Sequence, residues 1–117
     1  MGLTVELQLA GHDAVYAREI FDGRRTDGTH LLTATHDRRI LIAYNRKHYI
    51  LLNDAWKRWS DDWSTPQKHA GILCLSQGLP RDLYVAIDIF SRSDLPIINE
   101  LYTYYLAKSW VLEPYAP

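Results

Sequence analysis

The side chains that could do chemistry in this chain are few, and most of them border one polar turn. Asn45-Arg46-Lys47-His48 follows the apolar, β-branched run Ile40-Leu41-Ile42-Ala43-Tyr44. A histidine at such a turn can ligate a metal, meet a phosphate or carry a proton near neutral pH. Arg46 and Lys47, with Arg18, Arg24 and Arg25, would form a local basic patch able to contact phosphates. Asn45 stands beside them, although its first use is to bond its own turn. Thr26-Asp27 adds a carboxylate where a helical stretch begins. Each has a plain structural use as well: Asp27 as a helix cap, His48 as a solvated turn residue, the cations as wet surface.

Other chemistries lack their residues. Cys74 lies inside the apolar run Ile72-Leu73-Cys74-Leu75 with no base beside it, so neither a Cys/His nor a Ser/His/Asp arrangement can be argued. His12, His30 and His69 are scattered and lack metal-ligand spacing. No glycine-rich loop is available to cradle a phosphate.

These residues need elements to position them. The run at 40–44 reads as a strand buried on both faces. Tyr49, Leu52, Trp56, Trp59 and Trp63 follow at spacings of three and four, on one side of a helix. That stripe is expected to pack in the core or against a subunit rather than to stack on bases. Strand, turn and helix make half of a βαβ unit, and ligands in open α/β sheets sit at the carboxyl ends of strands.

Upstream, Leu3, Val5, Leu7 and Leu9 alternate as in a strand, while Leu3, Leu7 and Ala10 fit one helical face. Gly11-His12-Asp13 reads as a turn and Ala14-Val15-Tyr16-Ala17 as a short strand. A helix from Thr26-Asp27 carries Leu31, Leu32 and Thr35 and ends near Asp37-Arg38. Downstream, residues 72–75 form a third strand, and Pro80 suits the start of a helix burying Leu83, Ala86, Ile87 and Phe90. Ile97, Leu101, Tyr104 and Tyr105 begin a last helix, and the tail at 113–117 frays. Strands alternating with helices imply α/β with a mostly parallel sheet. Right-handed crossovers then gather Tyr16, Arg18, Glu19, Asp27, Tyr44, Asn45, His48, Ser76 and Gln77 at one edge, with His12 and His69 at the other.

Composition sets the outer bounds. A chain of 117 residues makes one domain, and 47% hydrophobic with 23% charged residues excludes extended disorder. A net charge of −1 gives no global field toward nucleic acid or acidic membranes. One cysteine cannot form an internal disulfide. No signal peptide and no apolar run near the ~20 residues of a membrane span is visible, so the cytoplasm is expected.

A set of short motifs occurs in one order. Gly11-His12-Asp13-Ala14-Val15, Arg18-Glu19, Thr26-Asp27, Ile40-Leu41-Ile42 with Asn45 and Tyr49, Trp56, and His69-Ala70-Gly71-Ile72 follow at compatible gaps. Over residues 3–77 this resembles the small bacterial PIN-like proteins of the toxin–antitoxin type, related to the Mut7-C ribonuclease domain. The resemblance implies one PIN-like domain over 1–117: a three-layer Rossmannoid α/β fold, with C-terminal helices within 79–112. It also favours helix over strand at 3–10. It further implies a Mg²⁺- or Mn²⁺-dependent endoribonuclease, with clustered carboxylates holding one or two hard ions that activate water. RNA and an antitoxin-like small protein are the partners it implies.

This sequence departs from the family pattern at nearly every catalytic point. The first strand and its aspartate are missing, because the chain begins where the family has its first helix; an upstream start supplying them is the alternative. Asp27 matches the first member of an acidic pair, but Gly28 stands where its partner should be. The family's Arg-Asp-Phe reads Lys47-His48-Tyr49, an imidazole for a carboxylate. Asp54, six residues past His48 on a helix, points away from it. The expected remnant site has Asp27 and His48 as catalytic residues and Asp27 as metal ligand. Arg18, Asn45, Arg46 and Lys47 bind substrate in that reading. Cleavage would be weakened or lost. The other reading is a non-catalytic protein-binding or homo-oligomeric module on the same fold, since a missing strand leaves an open sheet edge that favours a homodimer.

Overall fold

The computed structural model describes residues 3–9, 11, 27–44, 46–64, 67–75 and 83–114, the side chains of residues 4–6, 27, 83 and 84 excepted. The strand expected at residues 14–17, Arg18, Arg24, Arg25 and Asn45 lie outside the described residues. The elements in order are α1 (Leu3–Leu9), α2 (Asp27–His36), β1 (Leu41–Ala43), α3 (Arg46–Asp62), β2 (Ile72–Cys74), α4 (Leu83–Ser91), β3 (Leu101–Tyr105) and β4 (Ser109–Leu112). The strands form one sheet in the order β1-β2-β3-β4, parallel except for the last pair. The α/β class with a mostly parallel sheet is therefore the observed one.

Period two in the strands builds two cores. Leu41, Ala43, Ile72, Cys74 and Leu101 look to one face, where Leu31 of α2 and Tyr49, Ile50, Leu52 and Trp56 of α3 cover them. Ile42, Leu73, Tyr102 and Trp110 look to the other, under Leu3 and Leu7 of α1 and Ile87 and Phe90 of α4. Leu3 and Leu7 meet the sheet from a helix, one turn apart, so the alternation at 3–9 carries no strand. Aromatic edge-to-face contacts of Phe90 with Tyr102 and Trp110, at 5.0 and 5.4 Å, tie α4 to the hairpin. The crossovers through α3 and α4 step the same way across the sheet, yet their helices lie on opposite faces. They therefore differ in hand, and only one follows the right-handed rule expected of both.

Several expectations need correction. The last helix, from Ile97, is a β-hairpin instead. Leu101, Tyr102 and Thr103 are all buried, which alternating faces of a covered strand accomplish and one helical stripe cannot. Its turn is three residues, with Lys108 N–H bonded to Tyr105 O at 3.2 Å and Ser109 at φ 62°. Serine stands where glycine usually signals such a loop, so the hairpin leaves little trace in the sequence. The tail at Glu113 is also held: its N–H donates to Leu101 O at 2.9 Å.

β1 is half-buried rather than buried on both faces, because it ends the described sheet. In α2, Leu31 is buried but Leu32 is exposed. That helix closes with Arg38 at φ 58°, Arg39 N–H reaching Ala34 O and Arg38 N–H reaching Thr35 O, a Schellman end without glycine. The aromatic stripe of α3 divides. Tyr49 is buried and Trp56 half-buried, whereas Trp59 and Trp63 are exposed. A 17-residue helix spans about 25 Å and three-residue strands about 10 Å, so the last turns overhang the sheet.

Candidate functional site

The turn after β1 places its cations differently from one another. Arg46 opens α3 and reaches over the sheet face that carries Thr103 and Tyr105. Its Nη2 and Nε donate to Glu113 Oε1 at 2.8 and 3.2 Å, and the Tyr105 hydroxyl approaches the same oxygen at 3.4 Å. The Glu113 hydrogen bond raises the Arg46 pKa against the opposing effect of burial. Burial acts to raise the Glu113 carboxyl and is the largest single effect, but the hydrogen bonds and charge of Arg46, together with the Thr103 and Tyr105 hydroxyls, outweigh it and hold that pKa below its ordinary value. Arg46, expected as a substrate contact, is thus engaged within the fold. Lys47 and His48 are exposed on the first turn.

Asp27 begins α2, and its side chain lies outside the described residues, as do Arg18 and Asn45. Asp27 thus starts a helix separate from the one that carries Arg46, Lys47 and His48. Among the described residues, no group of three or more His, Cys, Asp or Glu side chains is placed to hold a metal ion. Glu113 reaches the first turn of α3, where a guanidinium already occupies one of its oxygens. A carboxylate bonded in that way is a poor ligand for a hard divalent ion, which needs several oxygen donors. The described donors do not fit a Mg²⁺ or Mn²⁺ site.

The residues that sequence reasoning missed lie at the other end of the strands. His69 is fully buried just before β2. Its Nε2–H donates to Asn53 Oδ1 at 2.7 Å, and its Nδ1 accepts the Gly71 N–H at 3.1 Å, which assigns the neutral Nε2–H tautomer. Its carbonyl accepts the Asn99 N–H at 2.7 Å, and Trp56 packs edge-on at 5.7 Å. Burial, then the nearby Lys57 charge, pushes the imidazole pKa down to about 4. Lys57 in turn pairs with Glu100 at 3.2 Å. Trp56 Nε1–H caps Gln67 O at 2.9 Å. Gly71 sits at φ 123°, and a Cβ there would lie 2.8 Å from Ile97 O and nearer still to its side chain. Asn53 sits on the buried side of α3 at four-residue spacing from Tyr49, a polar residue at a core position, and that was the available signal.

Cys74 is buried and its thiol is pushed up to about 12 by burial, so it is no nucleophile. No helix among the described residues is long and apolar enough to cross a membrane. No family model, curated protein or solved structure matches this chain.

Proposed function

We propose that this chain is a PIN-like, ribonuclease-fold protein of a toxin–antitoxin type system in which metal-dependent RNA cleavage is weakened or lost. The observation that carries the reading is the Arg46–Glu113 ion pair beneath the first turn of α3. In the family that the sequence resembles, the turn after this strand supplies carboxylate to a divalent ion. Here a guanidinium stands at the turn and pairs with the carboxylate that reaches it, while His48 stands where the resemblance places the acid. Hard-ion chemistry is disfavoured by both changes.

The parallel pairing of β1, β2 and β3 with helices on both faces supports the α/β part of this reading, and the crossover of opposite hand does not. RNA, if bound, would meet Lys47 and His48 on the exposed first turn, and an antitoxin-like partner would have no active site to block. The test is incubation of purified protein with structured RNA in Mn²⁺ or Mg²⁺. The expected result is no cleavage, or slow cleavage lost in Asp27→Ala and His48→Ala. Rapid metal-dependent cleavage would overturn the proposed loss. Slow cleavage unchanged in both variants would remove those two residues from the site.

A further inference from the structure

The outward side of α3 carries a regular pattern. His48, Leu51, Ala55, Arg58 and Asp62 follow at spacings of three and four, and Trp59 flanks them. This seam lies opposite the buried Tyr49 and Asn53. Leu51 is 68% exposed and Trp59 57%. Large apolar side chains grouped on one helix face mark an interaction surface rather than the single exposed residues of ordinary surfaces.

The charges on the same helix run against its own dipole. Lys47 stands in the first turn and Asp61 and Asp62 in the last, with no acid in the first turn and no base in the last. The macrodipole favours the reverse arrangement at both ends. An antiparallel partner helix removes the conflict, because each basic start then lies against an acidic end and the two dipoles oppose.

The pattern is also symmetric about Ala55. Leu51 and Trp59 lie four residues to either side, and His48 and Asp62 seven to either side. On one flank, Lys47, Asp54, Arg58 and Asp61 alternate in sign. Read against its own reverse, that flank sets Lys47 beside Asp61 and Asp54 beside Arg58. A surface complementary to its own reversed copy is what a two-fold interface requires.

We propose that the outward face of α3 is a dimerisation surface, pairing antiparallel with α3 of a second copy about a two-fold axis beside Ala55. Leu51 packs on Trp59 of the other copy, and the small Ala55 lets the helices approach. This inference goes beyond the nuclease-fold reading and does not depend on it. A contact limited to one pair of five-turn helices falls below the ~800 Å² per partner of a standard interface, so the dimer dissociates in the micromolar range.

Sedimentation equilibrium on the full chain from low micromolar to several hundred micromolar tests it. The expected result is a reversible shift from the chain mass to twice that mass. Trp59→Lys and Leu51→Asp should each raise the dissociation constant by roughly 30-fold or more. Lys47→Glu and Asp61→Lys should each weaken the dimer, and the double variant should restore it.

Geometry supplies a check that does not depend on affinity. Helix axes 8–10 Å apart, less a Cα radius of about 2.3 Å on each side, put facing Cα atoms within disulfide reach. Ala55→Cys should therefore cross-link to its own copy under a mild thiol oxidant, while Leu106→Cys, on the exposed hairpin turn, should not. The native Cys74 is buried and stays silent. A monomer at every concentration would overturn the proposal. So would a dimer unaffected by Trp59→Lys and Leu51→Asp, which would place the contact elsewhere, such as the β1 edge. Cross-linking at Leu106→Cys equal to that at Ala55→Cys would do the same.

Discussion

Two polar clusters anchor α3, and they differ in how completely they are enclosed. At the amino ends of the strands, His69 is fully buried and both ring nitrogens have partners, with Asn53, Gly71, Trp56 and Asn99 gathered around it. Near the turn after β1, Arg46 and Glu113 pair at 2.8 Å with the arginine side chain 38% exposed. A buried, satisfied polar group is costly to disturb, because removing one partner strands the other away from water. A half-exposed pair exchanges its bond for water at little cost. The first cluster therefore holds the fold, and the second end of the helix is free to carry a function or to lose one.

The sharpest attempt to break this contrast is Gly71→Ala. It adds a methyl against Ile97 at a backbone angle that L residues rarely adopt, and should cost roughly 3 kcal/mol or more in urea unfolding. Asn53→Leu removes the acceptor of the buried His69 N–H and should cost about 2 kcal/mol by the same measurement. A loss below about 0.5 kcal/mol in either variant would end the claim that this corner organises the fold.

Acid sharpens the same comparison. His69 has a folded pKa of about 4 against an ordinary value of 6.5, so the unfolded chain binds its proton first as pH falls. Protonation would also place a second N–H at Nδ1 against the Gly71 N–H. The stability that the neutral imidazole contributes is intact above pH 6.5 and is lost progressively between 6.5 and 4. The loss amounts to about 3 kcal/mol at most. Denaturant melts from pH 7 to 4 should show it, and a His69→Gln variant should flatten the slope over that window. Glu113, with its lowered pKa, acts in the same direction but at lower pH, below its ordinary 4.5.

The half-exposed pair should give the smaller effects. Arg46→Ala is expected to cost about 1 kcal/mol or less. His48→Ala, on the exposed first turn, should leave stability within about 0.5 kcal/mol. If Arg46→Ala proved as damaging as Asn53→Leu, the two clusters would have to be treated as one.

How much of this was legible depended on whether a signal was local. The strands at Leu41–Ala43 and Ile72–Cys74, the helix between them and the inward face of Ala86, Ile87 and Phe90 follow from short apolar periods. The hairpin did not, because Leu101 and Tyr105 are also four residues apart and Ser109 takes the positive φ that a glycine would have announced. Arg46–Glu113 joins residues 67 positions apart, and no pattern within either segment could pair them. His69 read as one of several scattered histidines because its acceptor, Asn53, lies on another element. Trp59 and Trp63 fit the core stripe by spacing alone; that the strands beneath are only three residues long is a tertiary fact.

On the proposed reading, the turn after β1 assembles no site for a hard divalent ion. Titration of the full chain with Mn²⁺, following the free ion by electron paramagnetic resonance, tests this directly. The account predicts no stoichiometric binding at micromolar free Mn²⁺ and no change in Asp27→Ala. One or two ions bound tightly in that range, and released by Asp27→Ala or His48→Ala, would contradict it.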